Sequence, residues 1–169
     1  MATYTLISSQ VLGSSAASVT FSSIPSTYKD LAVRISSRTD SAVVQDPLQM
    51  QINGSSATNY SYTNLNGTGA TAVVSSGSTT AATQSRISYT DAATATTNTF
   101  GSAEIYIPNY AATVTKCFNG FGVQENNNST AYMSATALLW NQTAAITALT
   151  FLSGSANFIT GSSFYLYGI

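Results

Sequence analysis

The chain has 169 residues, enough for one domain whose single core buries most of its apolar surface without disulfide or metal staples. Five Lys and Arg against six Asp and Glu leave a net charge of −1, with 7% of residues charged, so neither a nucleic-acid footprint nor an acidic tail is present. Histidine is absent, which removes the commonest general base, metal ligand and near-neutral pH switch.

No apolar run is long enough to span a bilayer, and the opening MATYTLISSQ lacks the basic and apolar regions of a secretory signal. The expectation is a soluble protein made in the cytoplasm, with neither membrane nor nucleic acid among its partners. The single Cys117 has no disulfide partner in the chain, and its apolar setting VTKCFNGFGV reads as a buried cysteine.

Small residues dominate: 26 Ser, 25 Thr, 23 Ala and 11 Gly make up half of the chain. Lysine and glutamate, which normally solubilise a surface, are nearly absent. A surface of hydroxyls and methyls suits a protein whose outside is covered by neighbours.

In chain order, period-2 alternation predicts strands at TYTLIS, at SVTFSSI ending at Ile24, and between Lys29 and Arg38. In the last of these, Leu31, Val33 and Ile35 share one face while Ala32, Arg34 and Ser36 share the other. Further strands are predicted at 48–53, 59–65, 85–90, 102–110, 114–123, 130–140 with 144–151, and 163–169, about ten in all. Turn chemistry at Pro25, Asn53-Gly54, Asn66-Gly67, Asn119-Gly120, residues 125–129 and Gly161-Ser162 punctuates them. The low-complexity stretches 67–85 and 90–99 read as surface loops or weak edge strands, and the Thr-rich DAATATT has no helical stripe. The fold class expected is all-β, a single antiparallel β-sandwich over residues 1–169 with jelly-roll-like connections.

Candidate sites are few. Asp30, Arg34, Arg38 and Asp40 bracket one strand, and the two arginines fall four apart on one face, where they could grip a carboxylate or a partner's carbonyls. The six acids show no pair spaced for glycoside hydrolysis, and no serine has a base beside it. Glu125 with Asn126, Asn127 and Asn128 is the one oxygen-rich cluster, and it reads as a polar turn more readily than as a calcium site. Tyr60, Tyr62, Tyr89, Tyr106, Tyr110, Tyr132 and Trp140 could form a platform for sugars, or fill a core or an interface. Sequons at Asn53, Asn59, Asn66, Asn127, Asn128 and Asn141 are expected by chance in so Ser- and Thr-rich a chain.

Three stretches, SVTFSSIPSTYKDLAVRISSR at 18–38, TNTFGSAEIYIPNYA at 97–111 and GSSFYLYGI at 161–169, resemble small structural proteins of tailed-bacteriophage virions. The stretch NGSSATNYSYTNLNGTG at 53–69 adds to the likeness. The resemblance implies a place in the particle and supplies no catalytic residue or cofactor. It favours a capsid decoration, or cement, protein on the capsid exterior, with the major capsid protein as partner and a homo-oligomer, trimer favoured, as the bound form. Such a protein stabilises the expanded lattice by mass action. The contact residues expected are an N-terminal arm, Met1, Ala2, Thr3 and Tyr4 running to Leu6, with Lys29, Arg34 and Arg38 as polar clamps. The alternative is a tail or fibre-tip adhesin binding host carbohydrate or receptor, with Tyr60, Tyr62, Asn126 and Asn127 in its site.

Overall fold

The computed structural model of the chain describes residues 3–68, 74–127 and 131–169, so Met1, Ala2 and Asn128 lie outside the described residues. The alternation expected between Lys29 and Arg38 is present in part: Leu31, Val33 and Ile35 are buried and Arg34 is exposed, but Ala32 and Arg38, expected on the face of Arg34, are buried as well. Twelve strands form among the described residues, β1 (Thr5–Val11), β2 (Ser18–Phe21), β3 (Leu31–Ser37), β4 (Gln45–Ile52), β5 (Tyr60–Gly67), β6 (Val74–Ala82), β7 (Ser85–Asp91), β8 (Gly101–Ile107), β9 (Lys116–Gln124), β10 (Tyr132–Trp140), β11 (Leu149–Ser153) and β12 (Ser163–Gly168).

All paired strands run antiparallel, in an eight-stranded sheet ordered β1-β12-β3-β8-β9-β10-β5-β6 and a four-stranded sheet ordered β2-β11-β4-β7. The two pack face to face as an all-β sandwich. Their inward side chains make one core, in which Phe151 of β11 lies 5.6 Å from Phe164 of β12, ring to ring, and Phe164 meets the edge of Phe158 at 5.1 Å. The sheets come closest at β7. A Cβ on Gly122 would lie 2.0 Å from Ser88 Oγ, and one on Gly101 2.9 Å from Thr90 Cα, so these glycines let the backbones approach.

Several expectations need correction. The described strands number twelve rather than about ten; β6 forms within the low-complexity stretch as the outermost strand of the large sheet, the edge-strand alternative expected there. Asn119-Gly120 is no turn: it sits inside β9, with Asn119 paired to Ala137 and Gly120 giving Ile87 room. Cys117 is exposed, because β9 turns Lys116, Phe118, Gly120, Gly122 and Gln124 inward and the alternation sends Cys117 out. The predicted turn at Asn53-Gly54 does form, with φ of 52° and 67°. Asn53 there accepts hydrogen bonds from the backbone N–H of Thr147 (2.8 Å) and Ala148 (3.0 Å), tying down the approach to β11.

Candidate functional site

The register of the eight-stranded sheet fixes what its outer face presents. In one row across it, Arg34 is paired to Glu104, Glu104 to Phe121, Phe121 to Ala135, Ala135 to Leu65 and Leu65 to Ser76. A neighbouring row pairs Ser102, Val123, Met133 and Gly67, and another pairs Cys117, Leu139 and Ser61. Leu65 (52%), Phe121 (45%) and Met133 (57%) are therefore exposed side by side, with alanine, serine and threonine between them. The outer face of the four-stranded sheet differs: it carries Ser18, Thr20, Gln49, Gln51 and Thr150, with the Thr20 and Thr150 hydroxyls 3.0 Å apart.

Charge is almost absent from the large face. Arg34 Nε lies 3.3 Å from Glu104 Oε1, so its two charges, on adjacent strands, offset each other. The Arg34 guanidinium also lies 5.8 Å from the centre of the Tyr4 ring, and Tyr4 meets Tyr167 edge to face. Tyr106 donates to Asp30 Oδ2 at 2.6 Å, a bond that raises the phenol above its usual range.

The hollows on this face are open troughs. One of about 510 Å³ runs over Ala135 and Ala137 between Leu65 and Phe121. A smaller one of about 100 Å³ lies among Tyr4, Arg34, Glu104, Tyr106 and Phe121. A small-molecule site encloses most of its ligand and converges a few polar groups on it. The larger trough does neither, and the smaller one, although polar side chains line it, falls below the roughly 300 Å³ of a ligand pocket.

The residues singled out from the sequence fall into two sets. Thr3, Tyr4, Lys29 and Arg34 are exposed, and Tyr4 and Arg34 are brought together on the large face. The arm is not free from Thr5 onward, since β1 pairs with β12. Arg38 is no clamp for a partner: it is buried, and its guanidinium donates to the carbonyls of Thr96 (2.8 Å), Thr99 (2.9 Å), Ala95 (3.1 Å) and Ala93 (3.5 Å). The segment 92–99 has no strand partner for these carbonyls, and a planar group with five donors satisfies them from one point.

The glycan site drawn from the sequence is not assembled. Tyr60 is 1% exposed; its hydroxyl accepts from Ile52 N at 2.8 Å and donates to Ser55 O at 3.0 Å, while burial pushes the phenol up. Asn126 is buried beside Asp91, to which it and Gln124 donate at 3.2 and 2.5 Å. Asn127 is exposed at φ 56°, and Tyr62 is half-buried with Arg86 5.9 Å from its ring. Tyr110 and Trp140 belong to the core, and Tyr89 stacks with Tyr132 at 4.8 Å.

Sequence reasoning missed Leu65, Phe121 and Met133. A signal existed for one of them: Phe118 and Phe121 are three apart, so a strand must send them to opposite faces. No group of three or more Cys, Asp or Glu that could hold a metal ion occurs among the described residues. Comparison with known protein families finds no matching family, and comparison with curated proteins and with solved structures finds no match to either.

Proposed function

We propose that this chain is a non-enzymatic structural protein of a tailed-phage virion, which docks on the major capsid protein through the outer face of its eight-stranded sheet and holds the lattice together. The observation that carries the reading is that face itself: eight strands wide, with Leu65, Phe121 and Met133 exposed and its charges confined to the mutually offset Arg34 and Glu104. Exposed apolar patches of this kind mark interaction surfaces. The virion and capsid parts of the reading rest on the sequence resemblance.

As a cement protein the chain would act by mass action alone, stabilising whichever lattice state presents its binding surface, with copy number multiplying a modest contact energy. Strand order supports a jelly-roll reading of the fold. With β1, β12 and the β9–β10 hairpin set aside, β2-β11-β4-β7 faces β3-β8-β5-β6, two four-stranded sheets whose strands cross repeatedly from one to the other. The adhesin alternative loses two of its four site residues to burial, Tyr60 and Asn126.

The test is the copy number of this polypeptide in purified virions, by quantitative mass spectrometry against the major capsid protein. A number comparable with that protein's supports decoration, and particles carrying Phe121→Glu should lose the chain. A few copies would instead put it on the tail, and none would end the virion reading.

A further inference from the structure

A free sheet edge offers a row of backbone N–H and C=O groups to any extended chain, and soluble proteins guard it with lysine, proline, a bulge or a covering element. The two outermost strands of the large sheet, β1 (TLISSQV) and β6 (VSSGSTTAA), contain neither charge nor proline. β1 is bulged between Leu6 and Ser8, which twists that rim. In β6 the irregularity lies at one end, where Ala81 has φ 54°, and residues 74–79 keep unbroken register with β5. Among the described residues no strand pairs the outer edge of β6, and Ser75, Ser76, Gly77 and Ser78 are exposed.

This stretch reads Ser75-Ser76-Gly77-Ser78-Thr79, nearly symmetric about Gly77. Antiparallel pairing of two copies about a two-fold axis at Gly77 sets Ser76 opposite Ser78 of the second copy and Ser75 opposite Thr79, and leaves the centre without a Cβ. Hydroxyl pairs of this kind bond across strands. A net charge of −1 leaves almost no repulsion between copies. The small side chains form no alternating pockets of the kind by which an edge selects a foreign peptide, so the occupant that fits is the strand itself.

We infer that two copies of this chain pair edge to edge through β6, joining their eight-stranded sheets into one. The two outer faces then continue across the join, which doubles the apolar docking surface. This pairing does not rest on the docking reading, and it replaces the trimer favoured by resemblance with an isologous dimer.

Sedimentation velocity of the full chain over a wide concentration range tests it, with two variants at exposed positions. Ser76→Lys/Ser78→Lys places lysine opposite lysine at both sites and should raise the dimer dissociation constant about tenfold or more. Ser76→Glu/Ser78→Lys places glutamate opposite lysine and should keep the dimer. Wild-type protein that stays monomeric or forms a trimer overturns the pairing, as does equal behaviour of the two variants. Phe121→Glu, which should abolish docking, should leave the dimer intact, so the two readings fail separately.

Discussion

Arg34 and Glu104 face each other across β3 and β8 at 3.3 Å, on a surface otherwise built of uncharged side chains. Both are more than half exposed, so water screens the pair. A double-mutant cycle with Arg34→Ala and Glu104→Ala should return a coupling below about 1 kcal/mol in urea unfolding. The pair matters for what it leaves behind: Glu104→Ala strands a positive charge on the proposed docking face, and under that proposal should weaken particle binding while the unfolding midpoint stays put.

Arg38 should behave in the opposite way. Its guanidinium is buried and ties together the carbonyls of Ala95, Thr96 and Thr99; Arg38→Met takes this donor from the buried Ala95 carbonyl, while Thr96 O keeps the Thr99 hydroxyl at 2.8 Å. Leaving buried acceptors without donors costs about 1–3 kcal/mol for each group. Arg38→Met should therefore lower stability by about 1–3 kcal/mol, while Arg34→Met stays within about 0.5 kcal/mol. Equal midpoints for the two in urea would mean that the 93–99 segment does not depend on Arg38.

The contrast between these arginines also shows what a single sequence can and cannot disclose. Alternation places Leu31, Val33 and Ile35 inside and Arg34 outside, because a half-buried strand has one pattern that fits. It places Arg38 outside too, and fails there, because the carbonyls that bury it come from a segment some sixty residues away. The exposed apolar face of the large sheet was obscured for a different reason. β9 and β10 mix apolar and polar side chains on both sides, so Phe118 and Phe121, or Leu138 and Met133, cannot be sorted into core and surface by composition. β6 is exposed on both sides and has no alternation to read.

Two aspartates should shift acid stability in opposite directions. The Asn157 backbone N–H donates to Asp40 Oδ1 at 2.8 Å and, with the Asn157 side chain, holds the Asp40 carboxyl below its usual range. Its contribution is present above the ordinary carboxylate value and lost as pH falls through the depressed one. Burial instead pushes Asp46 up, so the folded state favours its protonated form; that advantage is complete at low pH and disappears as pH rises through the raised value. Between about pH 3 and pH 7, Asp46→Asn should gain stability relative to wild type and Asp40→Asn should lose it. Urea midpoints taken across that range would show parallel curves if neither environment acts as described.

Gly122 tests the approach of the two sheets. A methyl there would lie 2.0 Å from Ser88 Oγ and 2.5 Å from Ser88 Cβ, so Gly122→Ala must push β7 away from β9. Overpacking of this kind costs about 1–3 kcal/mol. Ser88→Gly in the same chain removes the obstructing atoms and should recover part of the loss. A Gly122→Ala protein with wild-type thermal stability would show that β7 shifts at no cost.

Lys116 is, like Arg38, a buried cation, 1% exposed, with Nζ donating to the carbonyls of Ala112 (2.6 Å), Val114 (2.5 Å) and Ala144 (3.0 Å). It thereby ties the lead into β9 to the segment that follows β10. Burial depresses its ammonium, so between that depressed value and the ordinary lysine value the unfolded chain binds the extra proton. Stability from this group should therefore rise with pH through that window. The buried phenols of Tyr60 and Tyr110, raised by desolvation, act the other way once pH passes the ordinary tyrosine value, but they do so equally in wild type and variant. Lys116→Met removes the donor from the carbonyls and should cost about 2 kcal/mol at neutral pH. The gap between Lys116→Met and wild type should widen in chemical denaturation as pH rises from the depressed value toward the ordinary lysine value. A gap that stays constant into alkali would mean that the ammonium is held in its charged form by the carbonyls that surround it.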